Sequence, residues 1–469
     1  MTDSSKTLTD SQIAAATEVT IRIFPKAIET LKSLVRIPGI AWEAFDANNL
    51  EKSAAEVAKL LEGTDAFEKV EILRSSYGEG LLGAPAVVAT RAAKNGAPTI
   101  LLYAHHDVQP PGDENLWESS PFEPAERNGR LYGRGAADDK AGIMAHLSAV
   151  SGLREIAGAD FDLGIVVFVE GEEEAGSPSF GAFLKEHQDK LRADVIVVAD
   201  SSNWTSEIPA ITTTLRGLVG LEFEVRTLDH AVHSGMYGGA VPDAMLALTK
   251  ILGSLWDESG SVSISGLKTG NESELAYSEE QLRVDSGLLP STKPIGEGNL
   301  LSRIWTKPAL TLIGLDYPSV AISSNTLIPS IKAKLSLRLA PGDNPESALA
   351  ALKAHILANN PLGAEISFGA TESGKPFALE GSGWAKKLAE QALGEAYGVP
   401  SVDIGIGGSI PFIADLEEVF PKAQILVTGV EDPDSRAHSP NESLHLDGFR
   451  KAILAETLLL LGGNQMRVS

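Results

Sequence analysis

Three short runs constrain this chain more than anything else in it. Thr99–Ala104, Ile165–Val169 and Val195–Ala199 are β-branched and almost continuously apolar, as strands buried on both faces should be. Between the first two, Ile143, Met144, Leu147, Val150 and Leu153 recur at helical spacing. A β-α-β order follows, and the region from Leu31 to about Ala210 is expected to be a mostly parallel sheet wrapped by helices.

From about Ile211 to Lys375 the pattern changes. Lys332–Leu339 alternates strictly between apolar and polar residues, so one face is buried and the other wet, as in an antiparallel sheet. Helices are expected over Ala244–Trp256 and from Asn344-Pro345, where a capping residue precedes proline at the first helical position. The α/β pattern then resumes with a helix near Trp384–Tyr397, a strand at Gln424–Val430 and a helix over Asp447–Leu461. The expected architecture is therefore α/β with an inserted α+β domain: residues 1–210 and 376–469 form the larger domain, and 211–375 the insertion.

Sixty-three acidic against 39 basic residues give a formal charge of −24, which repels phosphate backbones and anionic headgroups. Neither nucleic acid nor membrane is an expected partner. No run approaches the ~18 apolar residues of a membrane span, and the first residues lack a basic region followed by an apolar core, so a cytoplasmic location is expected. The absence of cysteine removes disulfides, thiolate catalysis and cysteine-based zinc sites, leaving His, Asp and Glu to hold any metal.

Chemistry-bearing residues follow the strands. His105 and Asp107 close the first run, where Asp107 can orient the imidazole. Asp138 and Asp139 occupy the glycine-rich turn Gly133–Lys140; taken alone, they suit helix capping as well as ligation. Four carboxylates, Glu170 and Glu172–Glu174, begin where the second run ends, and such clustering raises their pKa values unless a cation neutralises them. Asp200 ends the third run, and His438 lies in a polar loop after Gln424–Val430. Parallel strands gather their carboxyl ends on one sheet edge, so these five sites are expected to converge.

The ordered segments YAHHDVQP (Tyr103–Pro110), LYGRGAADDK (Leu131–Lys140), EGEEEAGS (Glu170–Ser177), DHAVHSGMYGG (Asp229–Gly239), GGSIP (Gly407–Pro411) and AHSPNE (Ala437–Glu442) resemble the di-metal peptidases that include carnosinase, bacterial dipeptidases, glutamate carboxypeptidase and aminoacylase. The resemblance is nearest to the carnosinase-like dipeptidases. It implies a ferredoxin-like lid domain that also forms a homodimer. It further implies that His105 and Asp200 hold one metal, Glu174 and His438 the other, and that Asp138 bridges both. Asp107 would orient His105, and Glu173 would be the general base that takes a proton from the water that becomes the hydroxide between the metals. His106 and Asp139 would stay outside the metal shell. In the lid, His233 would stabilise the oxyanion, Arg338 would bind the substrate carboxylate, and Asn325, Thr326 and Ser409 would line the site.

Two divalent cations, the three carboxylates of Asp138, Glu174 and Asp200, and one hydroxide sum to neutrality. With no sulfur ligand, zinc is expected, with manganese or cobalt tolerated. Within the resembling family, an Asp at position 200 goes with dipeptidases and aminopeptidases, so dipeptides or other very short peptides are the expected substrates. Hydrolysis of N-acyl or N-carbamoyl amino acids, or carboxypeptidase action, is the alternative from the same machinery. A metal-stabilised binding protein is the alternative of another class, which retention of Glu173 argues against. One departure stands out: Gly405-Ile406 precede the Gly-Gly-Ser segment, where the family often carries a charged pair.

Overall fold

The computed structural model describes residues 8–379, 383–408 and 411–468. Two compact units result, and the second interrupts the first. One comprises the chain to Thr213, Leu379–Ile404 and the chain from Asp415; the other comprises Thr214–Ala378 with Gly405–Ala414.

In the first unit the sheet runs in the order Lys69–Leu73, Ala86–Arg91, Gly164–Glu170, Thr99–His105, Val195–Val198, Gln424–Val427 and Ala210–Leu215. The four strands from Gly164–Glu170 to Gln424–Val427 are parallel, and their outer neighbours are antiparallel. Alternate side chains separate to the two faces. Leu102, Ala104, Val167 and Val169 join a core with Ile143, Met144, Leu147, Val150 and Leu153 of the helix Lys140–Ala157. On the other face Phe168 stacks on Phe183, with ring centroids 5.0 Å apart, and Tyr103 meets Phe180 edge-on. Burial on both sides explains why these strands carry no polar alternation.

The apolar runs end about where the strands do, although the last strand closes at Val427 rather than Val430. A long helix, Asp10–Val35, starts 21 residues before Leu31, from which the α/β pattern is expected, and runs through it. Thr9 and Gln12 form a reciprocal capping box at its start.

The second unit has a four-stranded antiparallel sheet, ordered Ala309–Leu315, Ser330–Leu339, Gly217–Arg226 and Glu365–Gly374. With the helices Ala244–Gly253 and Pro345–Ala358, the main elements follow the β-α-β-β-α-β order of a ferredoxin-like fold; shorter helices, Glu279–Ser286 and Leu300–Trp305, lie in one connection. Val219, Leu221, Phe223, Leu335 and Leu337 pack against Leu248, Ile251, Leu352 and Ile356. Asn344 caps its helix by accepting a hydrogen bond from the Ser347 amide at 2.8 Å. Among the described residues no helix is long and apolar enough to cross a membrane.

Candidate metal centre

The parallel strands of the first unit deliver their carboxyl termini to one edge. His105 is the last residue of its strand, Glu173 and Glu174 form a single 3-10 turn after Gly164–Glu170, and Asp200 follows Val195–Val198 by two residues. His438 arrives on a loop in which Arg436, His438 and Asn441 all have left-handed backbone.

These side chains converge in two groups: His105, Glu173 and Asp200, and Asp138, Glu174 and His438. Within each, one donor atom per residue lies within 4.8 Å of the others. Asp138 joins the groups. Its Oδ1 lies 3.1 Å from His105 Nε2 and its Oδ2 lies 3.1 Å from His438 Nε2, which is itself 3.2 Å from Glu174 Oε2. Each histidine therefore faces a different oxygen of the one carboxylate.

Asp107 is completely buried and does more than hold His105. His105 Nδ1 donates to the Asp107 backbone carbonyl at 3.1 Å, with carboxylate Oδ1 at 3.4 Å. The carboxylate accepts the backbone N–H groups of Glu173 at 3.2 Å and Glu174 at 3.1 Å. One side chain thus orients a histidine and fixes the turn presenting both glutamates.

The neighbouring residues point elsewhere. His106 donates through Nε2 to the Pro85 carbonyl at 2.8 Å. Asp139 accepts the His105 amide at 3.2 Å, stands at the start of the helix Lys140–Ala157 without capping it, and leaves no room for a side chain at Gly142, where a Cβ would sit 2.1 Å from its Oδ1. The peptide joining Asp138 to Asp139 is cis.

Three further residues, to which the sequence alone assigns no role, complete the frame. Glu442, wholly buried, accepts the backbone N–H groups of Gly135, Ala137 and Asp138 at 3.0–3.1 Å and pairs with buried Arg134. It anchors the turn that presents Asp138. Gln109 donates its backbone N–H to Glu174 Oε1 at 3.1 Å and its side-chain amide to Oε2 at 2.7 Å. Glu431 sits close enough for the charges of Asp138 and Asp200 to act on it, and accepts the Ser202 hydroxyl at 3.1 Å. Gln109 and Glu442 both lie in resembling segments, Tyr103–Pro110 and Ala437–Glu442, whereas Glu431 lies in none.

Without a cation this cluster is costly. Burial raises the Asp200 carboxyl to about 7; His105 opposes the shift, while Asp138 and Glu174 add to it. Burial, then the charge of Asp200, pushes Glu173 well above the carboxylate range. His438 is raised to about 11 by its contacts with Asp138 and Glu174. Buried carboxylates that repel one another around imidazoles are what divalent cations neutralise, so the donor set fits two such ions.

Other expected site residues lie in the second unit. His233 and Thr326 are paired across the ribbon formed by Val232–His233 and Thr326–Leu327, and the Ser234 amide donates to the Asn325 carbonyl at 2.9 Å. His233 is exposed and caps the short helix Ser234–Tyr237, its Nδ1 accepting the Gly235 amide at 3.0 Å. Arg338 lies on the strand Ser330–Leu339. Ser409 lies outside the described residues.

Residues 101–461 match peptidase family M20/M25/M40. The chain belongs to this peptidase family. It is 35% identical over 383 residues to the cysteinylglycine-S-conjugate dipeptidase of Corynebacterium striatum, covering 81% of this chain and 84% of that one. It is 29% identical to the Cys-Gly metallodipeptidase dug1 of Schizosaccharomyces pombe, covering 91% and 93% of the two chains. The fold is similar to that of human carnosine dipeptidase 1, with a TM-score of 0.76 at 24% identity over 97% of this chain and 99% of that one.

Proposed function

We propose that this M20 enzyme hydrolyses the amide bond of dipeptides and other very short peptides, with two divalent metal ions, zinc foremost and manganese or cobalt as substitutes. The observation that carries the reading is Asp138 placed between two imidazoles, with the carboxylate of Glu173 beside them. The names of the relatives support the substrate class.

His105 and Asp200 would hold one ion and Glu174 and His438 the other, with Asp138 shared. When bound, the ions would supply Lewis-acid polarisation of the scissile carbonyl and a lowered water pKa. Glu173 takes a proton from the attacking water as its oxygen bonds to the carbonyl carbon, then delivers that proton to the amine nitrogen as the C–N bond breaks. Asp107 keeps Glu173 in register through the backbone. In the lid, His233 would donate to the developing oxyanion and Arg338 would bind the substrate carboxylate, with Asn325, Thr326 and Ser409 lining the site. The lid is also the expected surface of a homodimer.

Glu173→Gln tests the reading. The variant should keep two metals per chain by elemental analysis yet lose roughly three orders of magnitude in turnover of a dipeptide panel, the scale of a positioned acid–base group with its charge. Loss of metal would make Glu173 a ligand and overturn its assignment as base. Wild-type cleavage of N-acyl amino acids in preference to dipeptides would overturn the substrate class.

A further inference from the structure

Position 405 cannot carry a charge, because it cannot carry any side chain: a Cβ on Gly405 would lie 2.6 Å from Thr214 Oγ1 and 2.8 Å from Trp305 Cβ. The adjoining turn is held by a guanidinium from elsewhere in the second unit. Arg216, half-buried between the strands Ala210–Leu215 and Gly217–Arg226, donates through Nε to the Gly407 carbonyl at 2.9 Å and through Nη1 to the Arg303 carbonyl at 3.4 Å. Gly407 lies flat against it, since a Cβ there would meet Arg216 Nη2 at 2.8 Å and the Ile304 carbonyl at 2.7 Å.

Register places a second guanidinium beside the first. Leu218 pairs with Arg338 and Gly217 with Leu339, so residues 216 and 338 are diagonal neighbours on one sheet face, within reach of long side chains. It is the face opposite the helices, because Val219 and Leu337 point into the core. The proximity registers electrostatically: burial, then the charge of Arg338, lowers the Arg216 pKa to about 10. Among the described residues no Asp or Glu forms an ion pair with Arg216; its protein acceptors are the two backbone carbonyls. Two like charges held together, one of them without a carboxylate, form a seat for an anion with two oxygens.

We propose that Arg216 is a specificity residue that acts with Arg338 to receive the free α-carboxylate of the substrate, while its Nε fixes the Gly407-Gly408 turn. The proposal rests on the reading of this chain as a hydrolase of short substrates with a free carboxyl terminus. Arg216 thus supplies the cation that position 405, before Gly407, cannot carry.

The test compares Arg216→Met, Arg216→Lys and Arg338→Met on a dipeptide and on its C-terminal amide, with metal content and thermal midpoint recorded for each. A charge-assisted contact predicts that the ratio of kcat/KM for the acid over that for the amide falls about 10- to 100-fold in Arg216→Met, chiefly through KM. Arg216→Lys should retain part of that ratio, and the Arg216→Met/Arg338→Met double variant should fall short of the product of the single effects. An unchanged ratio in Arg216→Met would overturn the proposal, whether activity is intact or both substrates lose equally; equal loss would leave Arg216 as a support for the turn alone. If the wild type proves to cleave N-acyl amino acids and not dipeptides, the parent reading fails separately. The same ratio can then be measured on an N-acyl amino acid and its amide.

Discussion

Replacing Asp107 by Asn should damage this site more than its near-identical shape suggests. The carboxylate is fully buried and uses both oxygens on backbone donors, Glu173 N–H at 3.2 Å and Glu174 N–H at 3.1 Å, with His105 Nδ1 3.4 Å from Oδ1. An amide has one carbonyl oxygen, so one backbone donor loses its acceptor and meets an NH2 group instead. Loss of a charge-assisted hydrogen bond costs about 1.5–3 kcal/mol, and a buried donor left unsatisfied about 1–3 kcal/mol. The sum, roughly 2.5–6 kcal/mol, is large against the roughly 5–15 kcal/mol by which folded proteins are stable. The same change releases the turn presenting Glu173 and Glu174 and weakens the orientation of His105, so metal affinity should fall about 10- to 100-fold. Urea unfolding in saturating metal reads the first effect, and metal content across a series of buffered free-metal concentrations reads the second. An Asp107→Asn protein that unfolds within about 1 kcal/mol of wild type, smaller than a single lost contact, and binds metal equally well would refute the role of this carboxylate as the link between histidine and glutamates.

Three other outcomes are expected. Asp138→Ala should reduce both bound metals, whereas His105→Ala and His438→Ala should each empty one site first; elemental analysis after gel filtration decides, and identical losses in all three would remove the bridge. Burial raises Glu170 to about 8, so between about 4.5 and 8 the folded chain keeps a proton that the unfolded chain has released. Stability from this group is therefore present at low pH and lost as pH rises, by at most about 1.4 kcal/mol per unit. Glu170→Gln should flatten that slope in urea midpoints measured at pH 5.5 and 8, and an unchanged slope would count against a protonated Glu170. If the lid histidine acts across a dimer, mixing His233→Ala with Glu173→Gln subunits should restore activity, because one composite site has both wild-type groups; no recovery after verified exchange would confine His233 to its own chain.

What the sequence disclosed, and what it hid, divides along physical lines. A residue at the carboxyl end of a buried parallel strand has its position fixed by topology, so His105, Glu174 and Asp200 could be brought together from runs of Val and Ile alone. Asp138 was ambiguous from spacing because a carboxylate at a helix start has an ordinary use; the structure shows Asp139 at that start without capping it and Asp138 turned to two imidazoles. The helix Asp10–Val35 escaped because much of its buried face is small or polar, with Ala16, Thr20 and Ala27, and because Pro25 lies within it. The capping box at Thr9 and Gln12 was the available signal.

Glu442 and Arg216 were hidden for a different reason. Each acts on backbone remote in sequence, Glu442 on Gly135–Asp138 and Arg216 on Gly407, so the role of neither follows from the residues beside it in the chain. Arg216 also depends on register, since a slip of one residue would turn Arg338 to the opposite face. That register is set by apolar alternation, Val219, Leu221, Phe223 and Val225 facing Leu337, Leu335, Ala333 and Ile331. The pattern that builds the lid core is therefore also what places two guanidiniums side by side on its wet face, and a substitution that weakened the alternation would separate the charges without touching either arginine.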